Sequence, residues 1–299
     1  MNIAELKLKI SQREKKAVIA VANATDPSIF LAAQAAKEDG LAKFVFTGPL
    51  QEVTDAMEEA SFTPDDQYHS FIDCSTDQEA AEVAVRLVSE GKATVLMKGM
   101  IATSTLLKAV LNKEYGLRTG GILSHIAGFQ INSREKILFL TDAAMNIAPE
   151  LEEKVQIVEN AVKAVRQMGI EQPKVAMLAA VETVNPAMQA TLDAAAITQM
   201  NRRNQIKHCL IDGPLGFDNA ISAEAAVQKK IESPVAGSAD ILVAPQIETG
   251  NSLYKSFTYI GGAVVGGMIV GAKAPIILTS RSDSEESKLF SLAMAVSTT

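Results

Sequence analysis

The stretch Gly271 to Ser287, GAKAPIILTSRSDSEES, decides how the chain is read. Its apolar run Ala274–Leu278 ends in Thr279, Ser280, Arg281, Ser282, Asp283 and Ser284, and a helical pattern then runs from Glu285 to Ala295. A buried strand that stops at hydroxyls, a guanidinium and carboxylates sets those groups at a strand-to-helix corner. In open α/β sheets ligands bind at that corner, at the carboxyl ends of the strands. Arg281 offers a planar fork of donors suited to a phosphate or carboxylate. Ser and Asp are also good helix N-caps, so spacing alone does not separate a site from a cap.

Outward from that corner, short β-rich runs alternate with helical patterns, the signature of α/β architecture with a mostly parallel sheet. Ala17–Ala22 reads as the first strand, and Asp26-Pro27 opens a helix that Gly40 closes. Further strands are expected at Phe44–Phe46, Phe71–Asp73, Thr94–Met97, Ile122–Ile131, Lys136–Leu140, Val175–Ala180, Cys209–Asp212 and Ile241–Ala244. The most regular helix spans Pro149–Met168, where Leu151, Val155, Val158, Val162, Val165 and Met168 recur at three- and four-residue steps. Helices are also expected near 77–90, 103–112, 186–200 and 220–231. Glycines 261, 262, 266, 267 and 271 match neither G-x-G-x-x-G nor a Walker A pattern. They read as close backbone packing around a strand.

At 299 residues the chain has room for about two domains. Apolar residues make up 47% and charged residues 21%, an ordinary globular balance. A net charge of -7 with 5% aromatics argues against a nucleic-acid surface, which needs a basic footprint and stacking rings. Cys74 and Cys209 form no framework and no metal-ligand spacing, so no metal is expected and the chain reads as cytoplasmic. The start, MNIAELKLKISQREKK, lacks the apolar core of a signal peptide. The uncharged run Ile260–Ala272 is too short to span a membrane.

Several ordered blocks point further. Ala274–Ser287 resembles the Ser-Arg motif of the phosphate acyltransferases, the phosphotransacetylase and phosphotransbutyrylase family. DGPLGFDNA (212–220), ADILVAP (239–245) and GNSLYK (250–255) are similar to family blocks, while LMKG (96–99) and TDAAMN (141–146) fit the butyryl-type branch better. The resemblance implies an acyl group moved between coenzyme A and inorganic phosphate, with no permanently bound cofactor. It implies two α/β/α domains with an interdomain cleft, like the isocitrate and isopropylmalate dehydrogenases. The expected division is residues 1–121 with 272–299, carrying the Ser-Arg motif, and residues 122–271. A homodimer is implied as well.

That reaction needs a cationic pocket for phosphate, donors for a developing oxyanion and a group for the thiol proton. Ser280 and Arg281 are the first candidates, for hydrogen bonding and for transition-state charge. Lys108 falls near a second active-site Arg of the family, but a point charge lacks the bidentate fork. Thr103, Ser104 and Thr105 open a helix whose N–H groups suit an anion. The family carries an Asp six residues after its motif Arg, where this chain has Ser287. Asp283 and His125 are the alternatives for that role, against a solvated helix-start acid and a structural imidazole. Asp142, Asn146, Asn251 and Lys255 follow strand ends and are expected to line the substrate site or to cap it. No His motif accompanies either cysteine, so a covalent thiol mechanism is set aside in favour of direct attack in a ternary complex. Rival readings are a phosphate acetyltransferase, a metal- and NAD-dependent decarboxylating dehydrogenase, and a ligand-binding protein without catalysis.

Overall fold

The computed structural model describes residues 1–278 and 283–299. The chain divides into two compact units, Ile3–Gly121 with Gly266–Thr299, and Met1–Asn2 with Ile122–Val265. The return boundary therefore falls at 265/266, where the sequence reading sets it at 271/272.

The first unit opens with a helix that sequence periodicity did not single out, α1 (Ile3–Ser11), which buries Leu6 and Ile10. Then follow β1 (Ala17–Ala22), α2 (Pro27–Glu38), β2 (Ala42–Gly48), α3 (Leu50–Glu59), β3 (His69–Asp73), α4 (Asp77–Ser89), β4 (Val95–Lys98) and α5 (Thr103–Val110). Terminal chemistry explains several boundaries. Asp26 accepts the Ser28 N–H at 2.8 Å ahead of Pro27, and Thr76 accepts the Glu79 N–H at 3.2 Å to start α4. Gly40, at φ +65, takes the left-handed turn past α2 that a side chain resists.

The second unit holds β5 (Ser124–Gln130), β6 (Leu138–Thr141), α6 (Leu151–Met168), β7 (Lys174–Leu178), α7 (Gln189–Arg202), β8 (Leu210–Leu215), α8 (Phe217–Ile221), α9 (Ala223–Gln228), β9 (Ile241–Val243) and α10 (Ile247–Lys255). Its strand order is β5-β6-β9-β7-β8. β5 runs antiparallel to β6, with Ile126 opposite Thr141, and the remaining pairs are parallel. Phe129, Leu138, Leu140, Ala176 and Leu242 form the centre of its core. The expected helix 220–231 is two short ones, because Ser222 caps a fresh start by accepting the Ala225 N–H at 3.2 Å. Gly213 cannot be replaced cheaply: a Cβ there would lie 2.6 Å from Met177 Cβ and 2.8 Å from Met177 O.

The chain then returns to the first unit through β10 (Val264–Val270), β11 (Ile276–Ile277) and α11 (Glu285–Ser297). Strand order there is β3-β2-β1-β4-β11-β10. β11 pairs parallel with β4, Ile276 facing Leu96 and Ile277 facing Met97, while β10 runs antiparallel to β11. β1, β2, β3, β4 and β11 are mutually parallel where they pair, so their carboxyl ends share one edge of this unit.

Candidate active site

Ser280 and Arg281 lie outside the described residues, together with Thr279 and Ser282. What surrounds their place in the chain is defined. β11 brings the chain to Leu278 alongside the carboxyl end of β4, and α11 resumes at Glu285 with Ser284 accepting the Ser287 N–H at 3.1 Å. The capping job expected of this cluster thus falls to Ser284. Asp283 is half-buried and Ser287 is buried.

The same edge carries the end of β4 and the start of α5. Lys98 Nζ donates to the carbonyls of Gly99 and Ile101 at 3.0 and 3.2 Å, which stiffens the turn. α5 starts one residue earlier than its hydroxyl run suggests: Ala102 is the N-cap, and no side chain caps the helix. Thr103 and Ser104 are exposed in its first turn, and Lys108 is exposed in its last. Two hydroxyls are therefore exposed at a helix start that no side chain caps, a place that suits an anion.

In the second unit the parallel strands gather a different set. His125 enters β5 opposite the end of β6, and its carbonyl accepts the Thr141 hydroxyl at 2.8 Å. Its Nδ1 is sealed from solvent without a hydrogen-bond partner, and the ring lies 6.1 Å from that of Tyr254. Burial pushes the imidazole pKa down, and the nearby Asp142 charge pushes up by less. The ring is therefore neutral near pH 7. Asp142, 3% exposed, accepts from the N–H groups of Ala144, Met145 and Asn146 at 2.9, 3.0 and 3.3 Å, and from Asn146 Nδ2 at 2.6 Å. Asn146 Nδ2 also donates to Leu123 O at 2.9 Å. Asn251 Nδ2 donates to Ala143 O at 3.3 Å, and exposed Lys255 holds its ammonium 6.0 Å from the Tyr259 ring.

Sequence reasoning missed Lys154 and Asp193. They form an ion pair at 2.6 Å, each side chain 6% exposed, and Gln189 Nε2 adds a 2.8 Å bond to Asp193. The pair helps line a cavity of about 620 Å³ where α6, α7 and the Pro245–Gln246 segment begin. The signal was present: Lys154 sits four residues before Val158 on the buried stripe of α6.

The remaining chemistry is quiet. Burial raises the Cys74 thiol pKa and pushes that of Cys209 up to about 11, so neither is a thiolate at neutral pH. Among the described residues no group of three or more His, Cys, Asp or Glu is placed to hold a metal ion, and no helix is long and apolar enough to cross a membrane.

Comparison with known proteins gives these features a context. The fold alone is shared with a 4-hydroxythreonine-4-phosphate dehydrogenase from Burkholderia phymatum, at TM-score 0.59 and 11% identity over 95% of this chain and 99% of that one. It is the dehydrogenase-like architecture that the sequence resemblance implies. A branched-chain phosphotransacylase from Enterococcus faecalis V583 superposes at TM-score 0.83 with 38% identity, covering 94% of this chain and 98% of its own. Residues 75–296 match the family described as Phosphate acetyl/butaryl transferase. The chain is 50% identical to the Probable phosphate butyryltransferase of Bacillus subtilis (strain 168), over 99% of this chain and 97% of that protein. The chain belongs to the phosphate acetyl/butyryl transferase family and is a phosphate acyltransferase.

Proposed function

We propose that the chain moves a butyryl or branched short-chain acyl group between coenzyme A and inorganic phosphate. The observation that carries this reading is the near full-length likeness to a Probable phosphate butyryltransferase, joined by the branched-chain phosphotransacylase among solved structures. A phosphate oxygen attacks the thioester carbonyl, the C–S bond breaks, and coenzyme A leaves as thiolate or, once protonated, as thiol. Both substrates are bound together, and no acyl-enzyme forms.

In this reading Arg281 holds phosphate charge and Ser280 hydrogen-bonds phosphate or the carbonyl oxygen. Thr103, Ser104, Thr105 and Lys108 offer donors to a phosphate group, and Asn251 and Lys255 to coenzyme A. The neutral imidazole of His125 supports a proton-transfer role over that of Asp283. Asp142 and Asn146 shape the turn beside it. The raised thiol pKa values favour direct transfer over a cysteine nucleophile. The protein acts as a cytoplasmic homodimer on small-molecule substrates, without metal, nucleic acid or membrane.

The test is thiol release from acetyl-, butyryl- and isobutyryl-CoA at varied phosphate. Butyryl or isobutyryl preference with intersecting initial-rate lines is expected. Acetyl preference would move the chain to the acetyl branch. Parallel lines, with an acylated cysteine seen by intact mass, would end the direct mechanism.

A further inference from the structure

From Ser287 to Thr298 the helix α11 is buried on every side except at Leu289, and Lys288 is the one ionisable residue in that span. Lys288 is 4% exposed. Among the described residues its side chain has no ion pair and no hydrogen bond, although two carboxylates, Glu285 and Glu286, stand within the same turn of helix.

Such an arrangement is costly in the empty protein. A buried ammonium without a counter-charge loses hydration and recovers nothing. The local field makes it worse, because Lys288 stands in the first turns of α11, where the helix dipole is positive. A lysine whose only work is to fill space is replaced without loss by methionine or leucine. The placement gives the charge a use. In the chain Lys288 comes after the carboxyl end of β11, and it is the next residue after Ser287, where the resemblance puts the family's Asp.

We propose that Lys288 binds a phosphate oxyanion of the substrates, as an electrostatic ligand that no family motif assigns. The inference rests on the acyltransferase reading. Inorganic phosphate and the phosphates of coenzyme A present the same chemistry to an ammonium, a compact anionic oxygen cluster with room for several donors.

The experiment is steady-state kinetics of Lys288→Met and Lys288→Arg with butyryl-CoA and with its 3′-dephospho analogue. Removing the ammonium in Lys288→Met should raise one KM about ten- to a hundredfold, with a smaller change in kcat. Lys288→Arg should recover most of it. A rise in KM for inorganic phosphate assigns Lys288 to that substrate. A rise in KM for butyryl-CoA that vanishes with the 3′-dephospho analogue assigns it to the coenzyme's 3′-phosphate, and one that persists assigns it to the pyrophosphate. Thermal unfolding should show Lys288→Met as stable as wild type or more so, since an unpaired ammonium has been removed. Both KM values unchanged, or lower stability with normal kinetics, overturns the proposal. Should Lys288→Met fail to fold, acetimidate labelling of wild-type Lys288 decides, read by peptide mass. Phosphate or coenzyme A should slow it, and labelling unchanged by either ligand overturns the assignment. Wild-type protein with no acyl transfer would instead sink the acyltransferase reading, so the two failures are distinct.

Discussion

The carboxyl edges of the two units handle polar groups in opposite ways. In the second unit they are spent internally: Asp142 accepts four hydrogen bonds from its own turn, and Lys154 closes on Asp193. In the first unit some are satisfied, as Lys98 and the caps Thr76 and Ser284 are, but others stay open: α5 starts without a side-chain cap, Thr103, Ser104 and Lys108 are exposed, and Lys288 has no counter-charge among the described residues. Polar groups buried with partners made are worth keeping only as a set, because removing one member strands the other. Exposed donors stay hydrated at little cost and can turn to an anion at a helix start. The second edge is therefore mostly scaffold, and the first is the one we propose as the anion receiver, with His125 the exception on its side.

The largest effect should come from breaking the scaffold. Lys154→Met leaves the Asp193 carboxylate buried with Gln189 as its remaining hydrogen-bond donor, and should cost about 3–5 kcal/mol of stability. Lys154→Met with Asp193→Leu should recover most of that, since an apolar pair of similar volume replaces the ion pair. Denaturant unfolding of the single and double variants measures both. A single variant as stable as wild type would remove the contrast between the edges.

Next in size is Arg281→Gln. If Arg281 clamps charge as it shifts toward the acyl carbon, its contact strengthens in the transition state and turnover should fall by about 100- to 1000-fold, or about 2.7–4 kcal/mol. Arg281→Lys should recover only part, because a point charge does not reproduce the fork. Measured kcat and KM for phosphate decide it: an effect confined to KM would make Arg281 a binding group, and unchanged kinetics would remove it from the site.

Much of the molecule is legible from residue order, and what is not has physical reasons. Asp26-Pro27 announces its helix because capping is a local interaction between neighbours in sequence. Pro245 and Gly250 look like breakers, yet α10 starts at Ile247 and runs through Gly250. That glycine is required by a tertiary approach, since a Cβ there would lie 2.3 Å from Asp142 O. Lys154 and Lys288 escape because periodicity counts apolar residues, and a lysine on a buried face is scored as solvent-facing. Asp142 is expected from sequence to line the site or cap it, and its hydrogen bonds go to its own turn. The split at Ser222 depends on a hydroxyl that competes with the helix backbone, a choice that only the packed context resolves.

The smallest expected effect concerns His125, where the scaffold edge meets the chemistry. Burial lowers its pKa in the folded protein, so the native state holds the ring neutral while the unfolded chain binds a proton below about 6.5. The unfolded state then carries more protons than the native one, and stability falls as pH drops. Stability is therefore full above about pH 6.5 and is lost as pH falls from there through the folded-state pKa, with a slope of at most about 1.4 kcal/mol per pH unit from this group. His69 contributes in the same direction, because burial lowers its pKa too and its Nδ1 accepts the Asp65 N–H at 3.1 Å. His125→Gln should remove its own share of the acid-side slope in unfolding curves taken from about pH 7.5 to 5, leaving the share of His69. In kinetics the same variant should flatten the acidic limb of kcat if the neutral imidazole moves the thiol proton. Retention of that limb alongside a flattened stability curve would keep His125 as a buried structural base and return the proton to Asp283. An unchanged stability curve would mean the ring is solvated enough to titrate normally, and the two edges would differ less than their hydrogen bonds indicate.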